Sequence, residues 1–164
     1  MASREKNLSQ FNFEQTPDLK DVRIGIIVSQ WNDEITEALF EGCYDTLKKL
    51  GAKKKNIQHI NVPGSFELPV AAKMLVESKK MDAVICLGCV IQGETRHFEF
   101  ICNAVVHGIM DLNVRYSIPF IFGVLTCDSL EQARDRSGGK YGNKGIEAAI
   151  SAVKMMILKN SLRK

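Results

Sequence analysis

At 164 residues, 45% hydrophobic and 25% charged, the chain has the make-up of one globular domain, long enough for a single core. A formal charge of +3, with no basic stripe interleaved with aromatics, gives no ground for a nucleic-acid partner. No apolar stretch approaches the roughly 20 residues that a helix needs to span a bilayer. Residues 1–21 read as a polar arm without the apolar core of a secretion signal, leaving 22–164 as one α/β domain. Five cysteines, an odd number scattered through apolar segments, read as reduced, buried thiols in a cytoplasmic protein.

Along the chain, apolar β-branched runs alternate with segments of helical spacing. Val22–Val28 reads as a strand, followed by a helix capped by Asn32 or Asp33, with Ile35, Leu39, Cys43, Leu47 and Leu50 on one side. The run Lys53-Lys54-Lys55 after Gly51 reads as solvated charge at a helix end. Ile57–Val62 is a second strand, stopped by Pro63-Gly64, and a helix follows over about Leu68–Ser78. Ala83–Ile91 is a third strand that breaks at Gln92-Gly93 and restarts as a helix reaching about Val114. Pro119–Leu125 is a fourth strand, and Ser129–Arg134 a short helix. A loop over Ser137–Asn143 precedes a last helix, Lys144–Leu158. Strands alternating with helices predict a flavodoxin-like three-layer sandwich around a four-stranded parallel sheet. Apolar surface left on the helices suggests burial against neighbouring subunits.

In such a sheet ligands bind outside the carboxyl ends of the strands, so the residues after each strand should share one rim. Trp31 follows the first strand. As a hydrophobic staple its partner would be the polar Thr36, so stacking on a heterocycle is the better reading. Ser65 and Glu67 follow the second strand, and Glu67 reads equally as a carboxylate that satisfies helix-start amides. Gln92, Gly93, Glu94 and Thr95 follow the third, at a helix start whose unpaired amides suit an anion such as phosphate. His97 lies in the first turn of that helix, where the positive end favours a neutral imidazole able to accept a proton. Phe122 ends the fourth strand. Arg136, between glycine-rich stretches, is either surface charge or a bidentate phosphate ligand. His59 and His107 read as structural.

Several nucleotide and metal motifs are missing. Gly138–Gly145 lacks the ending of a P-loop, and no Gly-x-Gly-x-x-Gly follows the first strand. Cys86 and Cys89 sit three apart on one strand and face opposite sides, so they cannot converge on one ion. The residues call for neither metal nor cofactor.

Five motifs in order carry a resemblance: Ser29-Gln30-Trp31-Asn32, Val62–Pro69, Leu87–Phe98, Phe120–Gly123 and Gly142-Asn143-Lys144-Gly145. Together, from about Val22 to Leu158, the chain closely resembles the lumazine synthases of riboflavin biosynthesis. The resemblance implies a cofactor-free condensation of 5-amino-6-(D-ribitylamino)uracil with 3,4-dihydroxy-2-butanone 4-phosphate, giving 6,7-dimethyl-8-ribityllumazine, phosphate and water. It implies that Trp31 stacks on the pyrimidine, Ser65 and Glu67 hold the ribityl hydroxyls, and Val90, Ile91 and Lys144 border the ring. It further implies that Gly93, Glu94, Thr95 and Arg136 bind the phosphate and that His97 shuttles protons. Phe122, Arg136 and Lys144 are expected from an adjacent subunit.

The resemblance also implies a homo-oligomer, a pentamer, with the short glycine-rich connection resembling that of members that close into 60-subunit shells. Association with riboflavin synthase is a further expectation. The chain departs from the family pattern at Gln92, where many relatives carry arginine, at Glu94 and at Arg96; Glu94 is expected to point outward, towards Arg96. The alternatives are a non-catalytic flavin-binding or shell-forming relative and a signalling domain of the same fold class, the latter lacking its acidic cluster.

Overall fold

The computed structural model describes residues 18–162, so most of the polar arm lies outside the described residues. Four strands, β1 (Ile24–Ser29), β2 (Ile57–Val62), β3 (Ala83–Ile91) and β4 (Phe120–Cys127), form one parallel sheet in the order β2-β1-β3-β4. Helices α1 (Asp33–Lys49), α2 (Leu68–Ser78), α3 (His97–Arg115), α4 (Leu130–Arg134) and α5 (Lys144–Ser161) supply the covering layers. This is the flavodoxin-like sandwich that the alternation predicts.

Strand alternation divides the core. Ile24, Ile26, Val28, Ala83, Ile85, Leu87 and Cys89 point to one side and pack against Leu39, Cys43 and Leu47 of α1 and Ala149 and Val153 of α5. Ile27, Val84, Cys86, Phe120 and Val124 point to the other, against Leu68, Ala72 and Leu75 of α2 and Val105, Ile109 and Leu112 of α3. Cys86 and Cys89 therefore sit in different halves of the core. Burial pushes the thiols of both up to about 12. Wholly burying a leucine, isoleucine or valine is worth about 1.5–3 kcal/mol, so the two halves supply the main stabilisation of the sheet. Leu19, ahead of β1, is also wholly buried against the α1–α5 side.

Several boundaries differ from the sequence reading. β1 begins at Ile24 rather than Val22, because the amide of Arg23 donates to the Asp82 carboxylate (2.8 Å) and not to a neighbouring strand. β4 runs two residues further, since Val90 and Ile91 pair with Thr126 and Cys127. The stretch 137–143 is not an open loop but an antiparallel pair, β5 (Ser137–Gly139) with β6 (Gly142–Asn143). The Asn143 side chain holds it down by donating to the carbonyls of Ala38 (2.7 Å) and Ser137 (3.1 Å) while accepting from the Gly145 amide (2.8 Å). Gly145 then brings α5 against α1 so closely that a Cβ there would stand 1.9 Å from the Leu39 carbonyl oxygen. Only glycine fits.

Asn32 occupies the cap position of α1, yet its side chain does not cap. It is the one non-glycine residue of positive φ (62°) among the described residues, and its amide nitrogen donates to the Cys89 carbonyl at 3.0 Å. Asparagine tolerates that left-handed conformation better than most residues.

Candidate active site

The strand order changes direction between β1 and β3: the chain leaves β1 for β2 on one side and β3 continues to β4 on the other. Loops diverge at such a point and leave a crevice beyond the strand ends. A cavity of about 780 Å³ lies there, and its lining is mostly apolar with a few polar groups. Trp31, Ser65, Glu67, Val90, Ile91, Gly93, Thr95 and His97 all border it, with Phe66, Phe98 and Ile101 completing the apolar wall.

Each of these side chains is placed by a local device. The amides of Gln30 and Trp31 donate to the carbonyls of Val62 (2.8 Å) and Pro63 (3.1 Å), which continue the β1–β2 ladder past the strand ends. With Asn32 fastened to Cys89, the backbone of Trp31 is gripped from both sides while the residue remains 74% exposed. Asn32 lines the cavity as well, and the sequence reading, which took it for a cap, missed this tether. Ser65–Glu67 form one 3-10 turn leading into α2, in which a Glu67 carboxylate oxygen accepts the Gly64 amide at 2.9 Å. The cap-like reading of Glu67 and its place on the cavity thus hold together, since the second carboxylate oxygen is left over.

His97 is the first residue of α3, and its amide lies 3.4 Å from the Thr95 hydroxyl. Just before it, the amides of Gly93, Glu94 and Thr95 meet no acceptor among the described residues. Three open donors at the positive end of a 19-residue helix make a ready anion site. Glu94 does not border the cavity. The expected approach of Glu94 to Arg96 is not found: Arg96 reaches one turn forward and pairs with Glu99 at 3.2 Å. Spacing of three along a helix favours that partner. Gln92 turns back on its own loop, donating to the Gly93 carbonyl at 2.8 Å.

Phe122, Arg136 and Lys144 stand apart from the cavity. The Arg136 guanidinium donates to the Gln132 carbonyl at 2.9 Å and lies over the Tyr141 ring, 4.9 Å from its centre. Lys144 opens α5 and pairs with Glu147 at 2.5 Å in a mostly buried contact. Phe122 does not end β4 as expected: β4 runs on to Cys127, so Phe122 is the third of its eight residues and sits short of the rim, 40% exposed on the edge strand. Of the other histidines, His59 stacks on Phe40 with ring centres 3.9 Å apart, and His107 lies on the exposed side of α3 away from the cavity. Among the described residues no three His, Cys, Asp or Glu side chains gather as a metal site, and no helix is long and apolar enough to cross a membrane.

The geometry pairs an aromatic plate, a carboxylate, an anion cradle and an imidazole on one crevice. Residues 21–160 match the family model described as 6,7-dimethyl-8-ribityllumazine synthase. This chain belongs to that family. It is 58% identical over 156 residues to the 6,7-dimethyl-8-ribityllumazine synthase of Cytophaga hutchinsonii, and 53% identical over 156 residues to that of Parabacteroides distasonis. Each alignment covers 95% of this chain and 98% of the relative. The protein of the same name from Christiangramia forsetii is 52% identical over 164 residues, covering 99% of this chain and 98% of its own. Likeness of this extent runs over nearly the whole length of the chain.

Proposed function

We propose that the protein carries out the family's reaction in riboflavin biosynthesis, joining 5-amino-6-(D-ribitylamino)uracil to 3,4-dihydroxy-2-butanone 4-phosphate with loss of phosphate and water. The observation that carries this reading is the meeting, in one crevice, of Trp31, Glu67, His97 and the three open amides of Gly93–Thr95. Trp31 stacks on the pyrimidine, and Val90 and Ile91 form the wall beside it. Ser65 and the free Glu67 oxygen hold the ribityl hydroxyls. The amides of Gly93, Glu94 and Thr95 receive the phosphate, and the Glu94 side chain stays outside.

Within that arrangement the pyrimidine amine attacks the ketone carbon to form a C–N bond, and loss of water gives an imine. His97 takes the proton from the attacking nitrogen and returns it to the departing oxygen. It then removes the proton whose loss drives out phosphate, and the C–O bond to phosphate breaks with its electron pair leaving on the anion. The ribityl-bearing nitrogen then attacks the remaining carbonyl carbon, and loss of a second water closes the ring. Holding amine and ketone together supplies most of the acceleration, because a bimolecular encounter becomes an intramolecular one. The imidazole adds about 10²–10⁴-fold. The helix-start amides stabilise the charge that grows on the leaving group.

The crevice on one chain is half of the working site. Phe122, Arg136 and Lys144 come from the adjacent subunit, Arg136 closing on the phosphate and Phe122 and Lys144 bordering the ring. The apolar side chains left exposed along α3, Phe100, Val106, Met110 and Val114, favour such an assembly, since patches of this kind are covered in stable oligomers. The assembly is a pentamer, and the two-residue turn between β5 and β6 suits closure of pentamers into a 60-subunit shell able to associate with riboflavin synthase. Five free cysteines fit the reducing cytoplasm. The test mixes both substrates with purified protein and follows the fluorescence of the lumazine. Formation no faster than in buffer refutes the reading.

A further inference from the structure

Two buried hydroxyls at the base of the crevice have no hydrogen-bond partner among the described residues: Ser29 Oγ and Ser65 Oγ. Ser29, the last residue of β1, is wholly buried and does not line the crevice, whereas Ser65 does. Alternation along the strands puts Ser29 and Gly88 on the α2–α3 side of the sheet, one step past the Val28–Leu87 pair. Both hydroxyls converge over Gly88. A Cβ at that position would stand 2.6 Å from Ser65 Oγ and 3.3 Å from Ser29 Oγ. The absent side chain of Gly88 is what lets both hydroxyls lie beside this position, where neither is bonded to the other in this structure.

Leaving two buried hydroxyls unpaired is unfavourable, and the cost is removed only if something completes their bonding. Each hydroxyl donates one hydrogen bond and accepts two. We infer that Ser29 is a positioning and specificity-determining residue: it forms the inner end of a hydrogen-bond chain, Ser29 to Ser65 to a hydroxyl of the substrate's polyol chain. A ligand hydroxyl that engages Ser65 fixes its rotamer and satisfies both buried groups at once. A ligand without that hydroxyl leaves both unpaired and is rejected, as sites built around a hydroxyl do. The inference rests on the proposed contact between Ser65 and the ribityl chain.

The experiment is a double-mutant cycle of Ser29→Ala and Ser65→Ala. It reads KM for each substrate, kcat, and the affinity for ribityllumazine from quenching of Trp31, the only tryptophan in the chain. Ser29→Ala is expected to raise KM for the polyol-bearing pyrimidine about 5- to 10-fold, the loss typical of one hydrogen bond, with kcat and the KM for the sugar phosphate unchanged. Ser65→Ala is expected to match it, and the double variant to be no worse than either single, because the two act as one chain. The melting temperature of Ser29→Ala should equal or exceed that of the parent, since an unpaired buried hydroxyl is gone. Gly88→Ala, whose methyl displaces Ser65 Oγ, should reproduce the rise in KM.

An unaltered pyrimidine KM in Ser29→Ala, or losses that multiply in the double variant, overturns the inference while leaving the reading of Ser65 intact. A lowered melting temperature with both KM values raised equally marks a packing role and overturns it too. If Ser65→Ala alone binds the pyrimidine as tightly as the parent, the contact beneath the inference fails along with it.

Discussion

The crevice beyond β1, β2 and β3 and the cluster of Arg136 and Lys144, joined where the Lys144 amide donates to the Arg136 carbonyl at 2.9 Å, differ in how their polar groups are engaged. At the crevice and just beneath it, three amides before α3 and two buried hydroxyls have no partner among the described residues, and Trp31 is mostly exposed. In the cluster, Arg136 is held by the Gln132 carbonyl and the Tyr141 ring, and Lys144 by Glu147. The first region is poised for a ligand. The second is a pair of side chains held in place by partners of their own, and neither lines the crevice of the same chain. Such a division suits the proposed site shared between copies, in which one copy would supply the cavity and the other the groups that close it.

Variants that damage one region alone sharpen this contrast. The largest effect is expected from His97→Ala in the crevice, with kcat falling about 10²–10⁴-fold in the lumazine fluorescence assay. Residual turnover well above the uncatalysed rate should remain, because orientation of the reactants survives. Next comes Arg136→Ala in the cluster. Loss of a guanidinium from a phosphate should raise KM for the sugar phosphate about 10- to 100-fold and leave pyrimidine binding, read by Trp31 quenching, at its parental value. Equal loss for both substrates would place Arg136 outside the phosphate site. Gly145→Ala should show the smallest change in activity but a measurable one in stability. Its methyl meets the Leu39 carbonyl, so α5 must retreat from α1, costing about 1–3 kcal/mol in denaturant unfolding. Because Lys144 adjoins Gly145, turnover should fall with it; an unchanged unfolding midpoint contradicts the close contact.

Much of this organisation is legible from the residues because the signals are local. β3 reads correctly end to end since its β-branched run stops at a glycine turn, and α2 likewise after Pro63-Gly64. The rim follows for the first three strands, because a parallel sheet sends every strand's carboxyl end the same way, but not for Phe122, which lies inside β4. What escapes is set by contacts distant in sequence. Asn32 resembles a cap until Cys89, 57 residues later, claims its side chain. The β5–β6 pair has no apolar alternation to announce it and depends on Asn143 reaching back to Ala38. Ser29 looks like any strand-end serine until Gly88 and Ser65 close over it. Arg96 is the exception: Glu99 stands three residues on, and helical spacing alone would have paired them.

The proposed sharing of the site between neighbouring chains is tested most directly by complementation. His97→Ala and Arg136→Ala chains are co-expressed in equal amounts with different tags, and mixed assemblies carrying both are purified. They are assayed at sugar-phosphate concentrations well below the raised KM of Arg136→Ala, where each variant alone turns over slowly. If one chain supplies His97 and its neighbour Arg136, about one quarter of the contacts between copies restore an intact site, so activity should recover to about a quarter of the parent's. Mixed assemblies no more active than the average of the two variants would contradict the division of the site between neighbouring chains.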